Sequence, residues 1–277
     1  MTEELTITSC LPLNNGVAMP WFGLGVYLSP PGPVTEQAVA WALEAGYRHV
    51  DTARVYKNEE DVGKALRASG LPREEVFITT KLWNADHGYE EAKRAGRRSL
   101  ERLGLDYLDL FLIHWPVERL RRDSWKALEE LHLEGLCRAI GVSNYTIRHL
   151  EELFTYAEVL PAVNQVEFSP FLHQKELLAF CRAHDIVLEC YSPLTKGSRL
   201  NHPVLAAIAA ECGRSPAQVL IRWCLQHQTV VIPKSQQRKH ILANAQVFDF
   251  RLSGEQMARL DTLDEGLRTS WDPTDQP

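Results

Sequence analysis

Short β-branched runs recur along the chain, each followed by a turn signal and then a helical period. That alternation predicts an α/β fold, a (β/α)8 TIM barrel with an N-terminal β-hairpin closing its bottom. The length agrees, because 277 residues suit a single barrel of about 250 residues, so residues 1–277 are expected to form one domain. A third observation is that residues 108–113, LDLFLI, are almost wholly apolar. A strand covered on both faces requires such a run. An open doubly wound sheet is the competing architecture that the same alternation allows.

The first element reads as a hairpin, with residues 5–13 and 17–19 joined by Asn14, Asn15 and Gly16. Asn-Gly tolerates the positive φ that a tight turn needs. Eight strands are then expected at 23–27, 48–52, 76–82, 108–114, 139–143, 162–168, 186–191 and 229–233. The helices between them carry starts and stops. Thr35 is expected to cap a helix with Val39, Trp41, Ala42 and Ala45 on its apolar face, ended by Gly46. Asn58 caps the next, which turns Val62, Ala65 and Leu66 inward and closes at Gly70. Asp123 and Gly135 bracket Trp125, Leu128 and Leu131, and Thr146 opens a helix through Ile147, Leu150, Leu153 and Phe154.

Composition narrows the function. At 45% hydrophobic and 24% charged, the chain is neither disordered nor a repetitive fibre. A net charge of −6 argues against a nucleic-acid partner, which needs a basic surface. No apolar run approaches the roughly 18 residues of a membrane span. The first ten residues hold two glutamates and no basic region, so no signal peptide is expected. The six cysteines form no C-x-x-C pair. They read as buried reduced thiols of a cytoplasmic protein. The ten histidines show no H-E-x-x-H or H-x-H cluster, so no metal is expected.

In a barrel of this class the chemistry sits at the carboxyl ends of the strands. Asp51, Lys81 and His114 end the second, third and fourth expected strands, and Tyr56 lies five residues beyond Asp51. Brought to one mouth, these four suit proton donation to a carbonyl oxygen. Asp51 would hold Lys81, a neighbouring ammonium would lower the Tyr56 pKa toward working pH, and His114 would orient the oxygen. Each residue alone has a plainer reading as a turn cap, loop aromatic or packing group. The set is what points to catalysis.

Residues 46–59, GYRHVDTARVYKNE, followed by Val62 and Gly63, resemble the first signature of the aldo-keto reductase family. TKLWN at 80–84, LIHWP at 112–116, IGVSNY at 140–145, VNQVE at 163–167, YSPL at 191–194 and IPKS at 232–235 continue the resemblance in family order. It covers about residues 5–265 and is nearest the bacterial 2,5-diketo-D-gluconate reductase and prostaglandin F synthase-like branch. The resemblance implies NAD(P)H-dependent reduction of aldehydes and ketones, with Asp51, Tyr56, Lys81 and His114 catalytic and Tyr56 the general acid. It implies nicotinamide contacts from Ser143, Asn144 and Gln165, stacking by Tyr191, and pyrophosphate contacts from Ser192 and Leu194. Lys234 and Ser235 would take the adenosine phosphate, with His240 and Asn244 beside it. The chain lacks the G-x-G-x-x-G fingerprint, since Gly23-Leu24-Gly25 runs on into Val26-Tyr27-Leu28.

Three positions depart from the family pattern. Ser169 stands where histidine is frequent, and Thr195 where glycine is common. His240 replaces the arginine that faces a 2′-phosphate, with Arg238 and Lys239 as nearby charges. NADPH is therefore the expected cofactor, with NADH also used. Tyr27, Trp83, His114 and Trp115, with Trp21, are candidates for a substrate pocket. The short tail after Thr262 suggests an open one, suited to small aldehydes, dicarbonyls or keto sugars. The partner is a small-molecule carbonyl and the chain is expected to be monomeric. The competing functions are a cofactor-sensing regulatory protein with little turnover, and an aldolase or isomerase using Lys81 as a Schiff-base nucleophile.

Overall fold

The computed structural model describes residues 5–275. Strand β1 (Cys10–Pro12) pairs antiparallel with β2 (Ala18–Pro20), with Leu11 opposite Met19. This hairpin is shorter than the sequence suggests. Residues 6–9 curl into a turn of their own, in which the Ser9 amide donates to the Thr6 carbonyl at 3.1 Å and the Thr6 amide to Ser9 Oγ at 2.8 Å. The expected Gly16 turn is present, at φ 83°.

Eight strands follow in parallel: β3 (Leu24–Gly25), β4 (His49–Asp51), β5 (Phe77–Leu82), β6 (Leu108–Ile113), β7 (Cys137–Ser143), β8 (Val163–Glu167), β9 (Val187–Tyr191) and β10 (Val230–Val231). Each pairs with its neighbour in chain order. A parallel bridge between Phe22 and Val231 joins the last strand to the first, so the ring closes and the doubly wound alternative falls. Strands β3 and β10 are only two residues long, against the five that the sequence suggests for each. Closure there rests on a few bonds, such as Gly23 N–H to the Val231 carbonyl at 3.0 Å.

The strand period of two sorts side chains between two cores. Phe77, Leu110, Leu112, Ala139, Val163 and Val230 point inward and form one cluster with Leu13 and Met19 of the hairpin. The hairpin therefore plugs the amino-terminal end of the barrel. Asn14 and Asn15 fasten it there, donating to the carbonyls of Pro161 at 3.1 Å and Arg138 at 2.9 Å. The alternate residues Val50, Ile78, Phe111, Ile140, Val142, Leu188 and Cys190 face outward against the helices. Each fully buried Leu, Ile or Val contributes about 1.5–3 kcal/mol.

The helices are α1 (Pro33–Glu44), α2 (Glu59–Ser69), α3 (Tyr89–Leu103), α4 (Arg121–Leu133), α5 (Ile147–Phe154), α6 (Lys175–Ala183), α7 (Pro203–Cys212), α8 (Pro216–Gln226), α9 (Arg238–Ala245) and α10 (Gly254–Asp261). Two expected caps move. Gly32 caps α1, because Pro33 starts the helix ready-set in φ. Thr35 lies in the first turn and donates to the Pro30 carbonyl. Leu120 caps α4, and Asp123 sits inside its first turn, where the helix dipole favours an acid. Thr146 caps α5 as expected, in a reciprocal box with His149. Asn58 does precede α2, but its side chain does not cap. It donates to the Val26 and Ser29 carbonyls and accepts from Thr52 Oγ1 at 2.7 Å, tying the loop after β3 to the turn that carries Tyr56.

All six cysteines are free. Cys10 is exposed and Cys212 half-exposed, unlike the buried thiols expected. Among the described residues no single helix is long and apolar enough to cross a membrane.

Helix α2 packs on α3 through Gly63. A Cβ there would lie 1.9 Å from the Leu103 carbonyl oxygen, which is backbone and cannot step aside. Replacing a helical glycine by alanine normally gains up to about 1 kcal/mol. Here overpacking prevails, and Gly63→Ala should lower the unfolding free energy by about 3 kcal/mol. Urea denaturation checks this, and an unchanged or raised midpoint would show that the two helices separate freely.

Candidate active site

Asp51 ends β4, Lys81 is the penultimate residue of β5, and His114 directly follows β6. Because the strands are parallel and in register, all three face the same end of the barrel. Lys81 is fully buried, and its Nζ donates to both Asp51 carboxylate oxygens at 2.7 Å and to the Thr52 carbonyl at 2.8 Å. Tyr56 arrives on the short 3-10 turn Arg54–Tyr56, with Lys81 Nζ 5.1 Å from its ring centroid. The His114 ring stands edge-on to it at 5.7 Å. The four predicted catalytic side chains thus converge.

Asp51, Tyr56 and His114 border a cavity of about 900 Å³, with Lys81 buried beneath it, in the upper part of the usual range for ligand pockets. Tyr27, Trp83 and Trp115 line it with Tyr56, His114, Ser143, Asn144, Gln165, Tyr191, Ser192, Leu194 and Lys234. Trp21 does not. It lies at the opposite end, beside a shallow depression with Leu11 and Leu13. Ser235, His240 and Asn244 also lie outside the lining. Ser235 and Asn244 are buried, and His240 is exposed on the first turn of α9.

Polar atoms of the cavity wall are held in set directions. Asn144 adopts φ 63°, which asparagine tolerates. It donates to the His114 carbonyl at 3.0 Å and accepts from the Tyr191 hydroxyl at 2.8 Å. Gln165 Nε2 donates to Asp51 and Glu189, both at 2.8 Å, so only its carbonyl oxygen remains for a ligand. Ser143 Oγ donates to the Gln165 backbone carbonyl at 2.8 Å. A buried His114 Nδ1 has no hydrogen-bond partner among the described residues. An amide-bearing ring lying against Tyr191 suits this set, since the side-chain oxygens of Gln165 and Asn144 keep lone pairs for a carboxamide NH2. The residues therefore fit a nicotinamide.

Electrostatics corrects one expectation. Lys81 does not draw the Tyr56 phenol down. Burial pushes it well above its ordinary value, and the Asp51 charge adds to that. The Lys81 charge is already matched by Asp51, so little of its field is left for the phenol. Burial and the Lys81 charge hold His114 well below the usual imidazole range, leaving a neutral ring.

The sequence reading missed two features. Glu189 sits in the middle of β9 at 0% exposure, where burial and the Asp51 charge push its carboxyl up to about 8. An acid inside the apolar run VLECY was the available signal. The second is the tail, whose residues 268–271 join the cavity lining. Glu167 accepts from the amides of Thr269, at 2.8 Å, and Ser270, at 3.2 Å. Trp271 then lies 5.4 Å from Trp115 and 6.4 Å from Trp83, ring to ring. No period or motif marked that contact.

Residues 31–265 match the model of the aldo/keto reductase family. The chain belongs to that family. It is 50% identical to the glyoxal reductase of Bacillus subtilis over 268 residues, 97% of each chain. It is also 50% identical to the 9,11-endoperoxide prostaglandin H2 reductase of Trypanosoma cruzi, over 96% of this chain and 95% of that one. A Bombyx mori aldo-keto reductase solved in complex with NADP superposes with a TM-score of 0.89 at 34% identity, covering 95% of both chains. This aldo/keto reductase is an oxidoreductase that uses a nicotinamide cofactor to reduce a small-molecule carbonyl. A sensor role with little turnover is not favoured.

The buried Glu189 has a thermodynamic consequence. Its folded-state pKa of about 8 lies above the unfolded value near 4.3, so the native state holds the extra proton between them. Stability from this group is full below the unfolded value and is lost as pH rises toward the folded one. Glu189→Gln has no proton to lose. Its stability relative to the parent should improve steadily from pH 5 to 8 and level off above that. Thermal unfolding across this range tests it, and a constant difference would show that Glu189 is ionised throughout.

Proposed function

We propose that this chain reduces small aldehydes and dicarbonyls with NADPH, Tyr56 being the general acid. The observation that carries the reading is the placement of Tyr56 and His114 on one cavity wall, above a buried Lys81–Asp51 pair. When bound, a reduced nicotinamide would supply hydride to the carbonyl carbon. His114, neutral, directs a ring N–H toward the carbonyl oxygen and fixes its position. Tyr56 keeps its proton at neutral pH because its pKa is high. As the C=O π bond breaks, the oxygen becomes an alkoxide far more basic than a phenolate, and the phenol O–H proton moves to it. Lys81, held by Asp51, keeps its place against the Tyr56 ring as the proton leaves. Trp83, Trp115 and Trp271 give one side of the cavity an aromatic wall. Ser143, Asn144, Gln165 and Tyr191 hold the nicotinamide, Ser192 and Leu194 the pyrophosphate. Lys234, Ser235, His240 and Asn244 take the adenosine end toward α9. The chain acts as one barrel domain and as a cytoplasmic monomer, with neither nucleic acid nor membrane as partner.

Tyr56→Phe removes the transferable proton and keeps the ring. Losing a positioned general acid costs about 10²–10⁴-fold in rate, whereas cofactor binding, followed by fluorescence titration, should hardly change. A variant retaining more than about half the parent kcat/KM on a good aldehyde, such as glyoxal, would remove Tyr56 from the mechanism.

Cofactor choice turns on His240. Arginine forks onto two phosphate oxygens, whereas a histidine ring points a single N–H at them. Lys234 keeps a cation at the cavity edge, so NADPH should be preferred with measurable NADH activity. His240→Arg should raise the NADPH-to-NADH ratio of kcat/KM about tenfold through KM, one charge-assisted bond being worth at least about 1.5 kcal/mol. Steady-state kinetics with both cofactors decides, and a ratio that stays level or falls would place the phosphate elsewhere.

A further inference from the structure

Outside the cavity, three elements distant in sequence bring metal-ligating atoms together. His173 lies in the loop between β8 and α6, His227 follows α8, and Asp261 ends α10. The His227 Nε2–H donates to Asp261 Oδ1 at 2.9 Å, and His173 Nδ1 lies 3.6 Å from the same oxygen. The three ligand atoms all fall within 4.8 Å of one another. At 5% exposure, His173 is buried against the rings of Phe168 and Trp223, and its Nδ1 has no hydrogen-bond partner among the described residues. A separation of 3.6 Å is too long for a hydrogen bond. A buried ring nitrogen thus faces a carboxylate and a second imidazole without being satisfied.

We propose that His173 Nδ1, His227 Nε2 and a carboxylate oxygen of Asp261 form a Zn²⁺ site, with water as the fourth ligand. Tetrahedral zinc bonds nitrogen and oxygen at about 2.0–2.1 Å, which sets neighbouring ligand atoms about 3.3 Å apart. The 2.9 and 3.6 Å separations from the shared Asp261 oxygen bracket that value, and with all three ligand atoms within 4.8 Å of one another, ring rotations that draw the two imidazoles together complete the set. Two imidazoles and one carboxylate suit zinc, whereas Mg²⁺ and Ca²⁺ seek oxygen alone. On zinc binding the neutral His227 ring changes tautomer: its proton passes by way of water from Nε2 to Nδ1, which frees the Nε2 lone pair for the metal. Asp261 Oδ1 also accepts from the Trp223 indole at 2.8 Å, which orients the carboxylate from behind.

The site would act as a staple. The loop that carries His173 also receives the tail, since the Phe171 carbonyl accepts from the amides of Glu265 at 3.3 Å and Leu267 at 2.9 Å. A metal there fixes the base of the segment that lays Trp271 over the cavity. It has no part in the carbonyl chemistry.

The test uses the full chain, stripped with chelator and dialysed, then titrated calorimetrically with ZnCl₂ and separately with MgCl₂. One saturable equivalent of zinc and no magnesium binding are expected. Zinc in large excess over its Kd should raise the thermal midpoint by several degrees. His173→Gln, and Asp261→Asn, which retains an oxygen for the Trp223 indole, should each weaken zinc binding at least tenfold. Exposed Cys10, His184 and His240 are alternative zinc binders, so unchanged stoichiometry and affinity in both variants would overturn the proposal. Should a variant fail to fold, Co²⁺ added to the parent protein decides. Intense visible absorption of a tetrahedral ion, bleached by zinc, supports the site, and a weak octahedral spectrum refutes it.

Discussion

A lysine ammonium sealed under the cavity floor has to be matched by charge, and Asp51 matches it with both carboxylate oxygens. Leaving either partner alone would cost about 3–5 kcal/mol, because an uncompensated buried charge cannot recover its hydration. Much of the site is arranged around that pair. Asp51 also accepts from Gln165, which sets the Gln165 amide so that its oxygen is the end left for a ligand. Lys81 also donates to the Thr52 carbonyl, and Thr52 donates to Asn58, which anchors the turn bearing Tyr56. One ion pair thus reaches the acid, the amide clamp and the loop after β3 through successive hydrogen bonds.

The barrel interior is graded to allow this. Its lower part is apolar, filled by Phe77, Leu110, Ala139, Val163 and the hairpin residues Leu13 and Met19. Above that layer stand His49, Thr79, Gln165 and Glu189, then Asp51 and Lys81. Burial holds His49 at about 3 and Glu189 at about 8, so both are neutral near pH 7 and add no charge to the Lys81–Asp51 pair. A second ionised carboxylate beside Asp51 would weaken its grip on the ammonium. Keeping its neighbours uncharged leaves the pair close to electroneutral.

Over the cavity the structure accepts strain. Thr195 and Lys196 both have φ near 50°, and Thr195 is buried. A β-branched residue there is costly, by roughly 1–3 kcal/mol, where the family commonly has glycine. Lys196 Nζ donates to the Thr269 carbonyl, so the strained loop meets the tail held by Glu167. The loop after β9 and the tail therefore close one rim of the cavity together, with Trp271 between Trp83 and Trp115.

The sequence by itself determined the alternation of strands and helices, and with it which residues stand at strand ends. Asp51, Lys81, His114, Ser143 and Tyr191 were legible for that reason, since strand position follows from local hydrophobic pattern and a parallel barrel gathers strand ends at one face. Helix starts were less legible. Thr35 and Asp123 are good capping types, but the neighbouring Pro33 and the packing of the chain decided where α1 and α4 begin. Only the tertiary structure decided what depends on contact between distant segments. Trp271 over the cavity, the turn of Asn58 away from its helix, and the meeting of His173, His227 and Asp261 have no period or spacing to announce them. The Tyr56 pKa belongs with these. Sequence placed a lysine nearby, but burial and the prior claim of Asp51 on that lysine set the direction, and both are properties of the folded interior alone.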